Sequence, residues 1–361
     1  MKIVHVLPRG MKFNFHEATS IDLFVAEIVQ ESQYYSSTHI IGDVGILQPL
    51  LPNVSPLMKS SGRSRKYEIY EKILQVNPDI IFVQQHVPTA IFLSRRLSIP
   101  IVVQRHNYIK NYRGLLAGIK NFRRINQFNK LSGIFFVSEA LRREFQETWS
   151  KVKILLEVLP NGAIFDDNNI NVKSNNKKIL FVGRAVPEKG VVPALEAVLN
   201  ILKENAQWSA DFVLSSLDQH EEYLAQIADL INKKDDRLNI HYDISHEAVR
   251  QLSCEATIAL VPSIWKEPFG RTALEAHAAK NAVISSGRGG LKEISGDWAS
   301  YVDEVTTEEL SRKLQQLIDD PDQRDKISIQ GFERARALFR IQEVARKYDG
   351  LILDVLKNKS I

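Results

Sequence analysis

Ser263-Ile-Trp-Lys-Glu-Pro-Phe-Gly-Arg-Thr-Ala-Leu-Glu275 is the stretch whose reading decides the fold. Before it, Ile258 to Val261 is an apolar run with the character of a buried strand; after it, Ala273 to Lys280 is alanine-rich and reads as a helix. The unit is therefore strand, loop, helix. Pro268 and Gly270 break the loop, so a helix starting near Gly270 leaves the amides of Phe269 to Thr272 without partners inside it, at the strand's carboxyl end. Such an end suits an anion, most naturally phosphate. Glu267 stands just before the helix and Glu275 inside it, and a carboxylate accepts two hydrogen bonds at once, matching neighbouring hydroxyls of a sugar ring. Hydroxyl, phosphate, hydroxyl describes a nucleotide sugar. The plain alternative is a surface turn with two solvated glutamates.

At 361 residues the chain exceeds one ordinary core and suits two domains. Its 44% hydrophobic and 25% charged content is that of a soluble globular protein. A single cysteine, Cys254, excludes an internal disulfide, and its neighbours Leu252 and Ala256 read it as a packed thiol. No apolar run approaches the roughly 20 residues of a membrane-spanning helix. Met1 to Leu7 reads as a strand rather than a cleavable leader, so a cytoplasmic location is expected. Residues 1–170 hold 21 Lys and Arg against 14 Asp and Glu, a net +7; with +4 for the whole chain, −3 is left for the remainder.

Strands are expected at Lys2 to Val6, Thr38 to Gly42, Ile80 to Gln84, Ile101 to Gln104 and Ile134 to Val137, with helical patterns at Thr19 to Glu31, Tyr67 to Val76 and Thr89 to Leu97. This alternation implies an α/β fold with a parallel sheet covered on both faces. The loop after the first strand lacks Gly-x-Gly-x-x-Gly, which argues against a nicotinamide or flavin dinucleotide site. A first domain spanning 1–165 ends after Leu155 to Leu159 and the Pro160-Asn-Gly turn, and Asp166 to Lys178 is polar and without periodicity, as in a linker. The second domain, 166–340, restarts with a strand at Lys178 to Val182, then Gly183-Arg184 and, after a short gap, Lys189-Gly190. Gly183 allows close backbone approach to a ligand, and Arg184 and Lys189 set two cations beside it. Further strands are expected at Phe212 to Ser215, Asn239 to Tyr242, Ile258 to Val261 and Val283 to Ser285.

Glu267-Pro-Phe-Gly, with Glu275 eight residues after Glu267 and Ala276 next, resembles the Glu-x7-Glu signature of the retaining glycosyltransferases of family 4. The resemblance implies the GT-B fold, two facing Rossmann-like domains with parallel sheets and an interdomain cleft, the second binding the nucleotide sugar and the terminal helix, about 341–361, packing back on the first. It extends to Gly183-Arg184 and Lys189-Gly190, where such enzymes grip the donor diphosphate, and to Ser286-Gly-Arg-Gly-Gly-Leu-Lys-Glu293. It also implies the donor set: Gly183, Arg184, Lys189, Glu267, Pro268, Phe269, Gly270, Arg271 and Glu275, Glu267 at the donor sugar and Glu275 at the ribose. The first loop departs from the family's usual paired glycine. His106, in Gln-Arg-His-Asn after a strand, matches the family's histidine near the reacting carbon, and His16 and His86 are further acceptor-side candidates.

Asp320-Pro-Asp322 is the one Asp-x-Asp and reads as a helix stop and N-cap rather than a metal site. Arg184, Lys189 and the amides near Gly270 would neutralise the leaving diphosphate instead, so the expectation is a reaction without metal or other cofactor. The resemblance implies same-face substitution in which the leaving phosphate oxygen takes the acceptor's proton, and a glycan or lipid-linked acceptor of cell-surface polysaccharide or lipopolysaccharide synthesis. A nucleotide-sugar-binding subunit without turnover and a sugar-nucleotide epimerase are the competing readings. Arg105 to Arg124 carries six cations and no acid, with Tyr112, Leu115, Leu116, Ile119 and Phe122 near one helical face; Lys59, Arg63, Arg65 and Lys66 form a second cluster. Either that face packs on the sheet, or it meets an anionic acceptor or the inner face of a membrane as a basic amphipathic helix. No recognition module for nucleic acid accompanies the charge.

Overall fold

All four residues of the first strand are buried, His5 included, the mark of a central strand covered on both faces. The computed structural model describes residues 1–14, 18–43, 48–58, 62–165, 176–215, 220–232 and 235–358. They form two compact units, Met1–Gly162 with Ile341–Ile361, and Ala163–Arg340. His16, Lys59 and most of the linker, 166–175, lie outside the described residues.

Unit 1 runs β1 (Ile3–Val6), α1 (Ser20–Glu31), β2 (Thr38–Gly42), β3 (Val54–Pro56), α2 (Gly62–Val76), β4 (Ile80–Gln84), α3 (Val87–Ser94), β5 (Ile101–Arg105), α4 (Ala117–Phe128), β6 (Gly133–Phe136), α5 (Glu139–Thr148) and β7 (Leu155–Val158). Its strands make one parallel sheet in the order β3-β2-β1-β4-β5-β6-β7, so the winding reverses between β1 and β4. In an open sheet of this kind ligands bind outside the carboxyl ends of the strands at that reversal.

Unit 2 runs β8 (Lys178–Arg184), α6 (Val191–Glu204), β9 (Ser209–Ser215), α7 (Glu221–Ile231), β10 (Leu238–Tyr242), α8 (His246–Glu255), β11 (Ile258–Val261), α9 (Arg271–Ala278), β12 (Ala282–Ser285), α10 (Gly290–Ser295), β13 (Ser300–Tyr301), α11 (Thr307–Asp319) and α12 (Pro321–Phe339). Its sheet, order β10-β9-β8-β11-β12-β13, is again parallel and reverses between β8 and β11. Asp320 caps α12 by accepting from the Gln323 amide at 2.9 Å.

The last helix, α13 (Ile341–Lys357), returns to unit 1. Val344, Tyr348, Ile352 and Val355 enter one core with Ile3, Phe24, Val25 and Phe82. Tyr348 is fully buried, and its hydroxyl meets His5 Nε2 at 2.7 Å. Asp349 accepts from Ser32 Oγ at 2.5 Å and from the Gln33 amide at 3.1 Å, tying α13 to the end of α1. The chain leaves and re-enters unit 1 at neighbouring points, because the Ala163 amide donates to Phe339 O at 2.9 Å.

Three expectations need correction. Gly183 and Arg184 are the last residues of β8 rather than loop, since the β8–β9 ladder continues to Arg184 opposite Ser215. Cys254 is exposed; on α8 it is Ser253 that turns inward, which places the next side chain outward. The basic stretch from Arg105 is helical only from Ala117, with Gly114 at φ +91° before it, and its apolar residues do not pack on the sheet: α4 buries only Phe128.

Candidate active site

The reversal between β8 and β11 gathers three loops of unit 2. β8 ends in Arg184, whose exposed side chain has no partner among the described residues. The loop after it returns through Lys189 to Gly190, where glycine is required twice over, by a φ of +68° and because a Cβ would lie 2.5 Å from Pro262 O. The second loop, after β11, holds Glu267, and the third, after β12, reaches it backbone to backbone. The Gly290 amide donates to Glu267 O at 2.8 Å, and a Cβ on Gly289 would lie 2.2 Å from that same oxygen. Only glycine permits this approach.

Glu267 is 6% exposed. Its Oε1 accepts from Lys189 Nζ at 2.5 Å and from Ser263 Oγ at 2.6 Å, so a buried carboxylate is matched by a cation and a hydroxyl. Glu275, one helix turn into α9, accepts from Arg271 Nε at 2.6 Å and faces His246 Nε2 at 3.0 Å. Burial would raise its carboxyl, but Arg271 and His246 outweigh that and bring it down to about 2, so it is a carboxylate at any physiological pH. Neither glutamate is a solvated surface side chain. α9 starts at Arg271 with Gly270 as its N-cap, and its first turn closes by Ala273 and Leu274 donating to Gly270 O. The amides of Phe269, Gly270 and Thr272 have no backbone acceptor among the described residues. Phe269 is buried against Phe339, rings 5.6 Å apart, and fixes the loop from below, while Pro268 is buried beside it. Trp265 Nε1 and Ser286 Oγ are buried on these loops with no protein partner among the described residues.

These loops lie within the part of the chain, residues 164–334, that matches the family model of Glycosyl transferases group 1; residues 25–166 match that of Glycosyltransferase Family 4. This chain belongs to the group 1, family 4 glycosyltransferases. A curated relative, an uncharacterized glycosyltransferase of Methanocaldococcus jannaschii, is 28% identical over 175 residues, 45% of this chain and 44% of its own length. The MMP alpha-(1->4)-mannosyltransferase of Mycolicibacterium hassiacum is 24% identical over 290 residues, 74% of this chain and 68% of its own. Among solved structures, Anabaena HepE in complex with UDP-glucose superposes with a TM-score of 0.78 at 16% identity, covering 98% of this chain and 100% of that one. That likeness shows the fold, two Rossmann-like units with parallel sheets as in GT-B proteins.

In this family 4 chain His86 and His106 stand at the ends of β4 and β5, beside the other reversal. His106 Nε2 meets Gln84 Oε1 at 2.8 Å, and its amide donates to Gln85 Oε1 at 3.0 Å. An amide oxygen only accepts, so Nε2 carries the proton and Nδ1 the lone pair. Burial first, then the nearby Arg105 cation, lowers the ring to about 3, so it is neutral. The other end of Gln84 donates to His5 Nδ1 at 3.0 Å, and His5 in turn donates to Tyr348, which orders the chain Tyr348, His5, Gln84, His106. His86 stands at the N-cap position of α3 without capping it by its side chain, its Nδ1 lies 2.8 Å from Thr89 Oγ1, and burial lowers it first, with Lys66, Arg65 and Arg105 adding to the effect. Sequence reasoning missed Gln84, His246 and Ser263. Ser263 lies four residues from its partner, whereas His246 is 29 residues from Glu275 and carries no spacing signal.

Proposed function

We propose that this chain is a retaining glycosyltransferase that moves a sugar from a nucleotide-diphosphate sugar to a glycan or lipid-linked acceptor. The observation that carries the reading is the pair of partnered carboxylates, Glu267 and Glu275, flanking the open amides of α9 where the unit 2 sheet reverses. Glu275 would hold the ribose, Arg184 and the α9 amides the diphosphate, and Glu267 the transferred sugar. As the sugar's bond to phosphate breaks, the acceptor oxygen bonds to the same face, and its proton passes to the leaving phosphate oxygen. His106, neutral with Nδ1 as acceptor, would orient the acceptor hydroxyl. Fixed cations and amides stabilise the departing charge, and the proposal includes no metal. The mannosyltransferase relative and the UDP-glucose complex of HepE support a sugar-transferring, nucleotide-sugar-using reading.

Calorimetric titration with uridine diphosphate tests the donor assignments. Glu275→Ala and Arg184→Ala are each expected to weaken binding by about tenfold or more, the scale of one lost charge-assisted contact, with a chelator present throughout. Unchanged affinity in both variants would remove the donor site from these residues. Donor turnover on the same samples separates an enzyme from a binding subunit.

We further propose peripheral association with an anionic membrane at its cytoplasmic face. Among the described residues no helix is long and apolar enough to cross a membrane. What supports association is the segment around α4, where Leu115 is fully exposed and Leu116, Ile119 and Phe122 are 56%, 56% and 62% exposed among Arg113, Lys120 and Arg123. Sedimentation with phosphatidylcholine vesicles, with and without phosphatidylglycerol, should show anionic-lipid binding that salt weakens and Ile119→Ser/Phe122→Ser abolishes. Equal binding by this variant and the parent removes the segment from the membrane.

A further inference from the structure

We propose that a cationic pocket where the unit 1 sheet reverses binds a phosphate or diphosphate group, and that this group is carried by the acceptor, an assignment that rests on the transferase reading above. The pocket has a volume of 810 Å³, within the range of about 300 to 1,000 Å³ usual for small-molecule sites. Val6 and Leu7 of the β1 end, and Val83 and His86 of the β4 end, form its floor. It thus sits at the sheet position where open α/β sheets take their ligands.

Seven arginine and lysine side chains line it, and no aspartate or glutamate does. They come from separate elements: Arg9 after β1, Arg63, Arg65 and Lys66 in the first turn of α2, Arg95 and Arg96 after α3, and Arg124 in α4. A run of cations on an outward helix face is ordinary solvated charge. A concave set converging from four places is different, because each like charge raises the energy of the others and the hollow concentrates their field. Only Arg65 has a carboxylate partner among the described residues, Asp43; its Nη2 remains buried with no partner among them.

Aromatic rings, rather than acids, hold three of the others. Arg63 and Arg96 lie over the Tyr67 ring at 5.7 and 5.6 Å, Arg96 also over Phe92 at 3.9 Å, and Arg124 donates to the Tyr112 hydroxyl at 2.6 Å. An aromatic face orients a guanidinium without cancelling its charge. The result is a set of oriented forks whose geometry matches phosphate oxygens two at a time. His86, which also lines the pocket, is shifted downward by burial first and by Lys66, Arg65 and Arg105 next, in line with a positive field there. The phosphate could arrive on a free sugar phosphate or on a lipid. Tyr112 and Arg124 bracket the exposed Leu115, Leu116, Ile119 and Phe122, which favours the lipid source.

The test titrates inorganic pyrophosphate into the full chain, its Arg184→Ala variant at the donor site, and two pocket variants, Lys66→Gln/Arg96→Gln and Arg63→Gln/Arg95→Gln. None of these four pocket side chains is buried, so the fold does not depend on them. Expected are two binding events, one that Arg184→Ala weakens and one that Arg184→Ala retains and both pocket variants weaken by about tenfold or more. Titrations unchanged in both pocket variants overturn the proposal. If instead Arg184→Ala leaves the titration untouched while the pocket variants abolish it, the pocket stands and the donor assignment falls. Sedimentation with phosphatidylcholine vesicles containing phosphatidic acid then separates the sources. Loss of sedimentation in the pocket variants assigns the phosphate to a lipid, and pyrophosphate binding without pocket-dependent sedimentation assigns it to a soluble acceptor.

Discussion

Glu267→Gln is expected to lower turnover by about 100-fold or more while nucleotide diphosphate binds as tightly as in the parent, or more tightly. The two readouts move apart because of what Glu267 touches. Its Oε1 takes the Lys189 ammonium at 2.5 Å and the Ser263 hydroxyl at 2.6 Å. In this arrangement the carboxylate absorbs part of the charge that Lys189 would otherwise present to a diphosphate. Glutamine keeps the size and the hydroxyl contact but removes the negative charge, so Lys189 becomes a stronger anion partner while the proposed grip on the transferred sugar is lost. Calorimetry with uridine diphosphate and single-turnover assays with a UDP-sugar read the two effects separately. Weaker nucleotide binding in Glu267→Gln would place Glu267 at the nucleotide rather than at the sugar. The single change also tells whether Lys189 is held back or already committed in the resting protein.

The second large effect is acid destabilisation of both units. His5 and His277 are fully buried, with burial pushing each ring down to about 3 from an unfolded value near 6.5, and His106 behaves the same way. Below pH 6.5 the unfolded chain binds protons that the folded rings refuse, so stability is full above that pH and is lost as pH falls towards 3. Each of the three rings removes about 2 kcal/mol by pH 5, His5 and His106 from unit 1 and His277 from unit 2. Glu275, held near 2, adds a loss of the same sign in unit 2 below its ordinary range. Asp22 is shifted upward, chiefly by burial, and works the other way in unit 1. Urea midpoints are expected to fall steadily from pH 7 to pH 5, with Trp149 reporting unit 1 and Trp208, Trp265 and Trp298 reporting unit 2. In His5→Gln the fall at Trp149 should become shallower by about half, because His106 remains in unit 1. Midpoints that do not move with pH would mean that these rings exchange protons without unfolding.

The loops proposed to hold the donor were legible in the sequence because each is one short segment punctuated by glycine or proline at a strand end. Gly183-Arg184, Lys189-Gly190, Glu267 to Glu275 and Gly289-Gly290 all fall at the reversal of one sheet, and the strands between them read clearly from their apolar runs. The partners were not legible. Lys189 is 78 residues from Glu267, and no local pattern links them. The pocket of unit 1 was hidden for the same reason, since the sequence groups Arg63, Arg65 and Lys66 but leaves Arg9, Arg95 and Arg96 in unrelated runs. The α4 segment misled through its periodicity: Tyr112, Leu115 and Leu116 keep a helical spacing up to and across Gly114, whose φ of +91° does not belong to a helix. Cys254 was misjudged because α8 went unread, and a side chain's phase has no meaning until its helix is known.

The place where the chain leaves unit 1 and later returns governs the order in which the protein can be made. Unit 1 has no finished core until Val344, Tyr348 and Ile352 arrive, and they follow all of unit 2 on the ribosome. Closing a flexible loop of that length would cost about 5 kcal/mol in chain entropy. A folded unit 2 removes that cost, because the Ala163–Phe339 hydrogen bond already sets residues 162 and 341 side by side. The later half of the sequence thus supplies the frame on which the earlier half is completed, and a chain that ends before Ile341 holds every strand of unit 1 but lacks Val344, Tyr348 and Ile352 from its core.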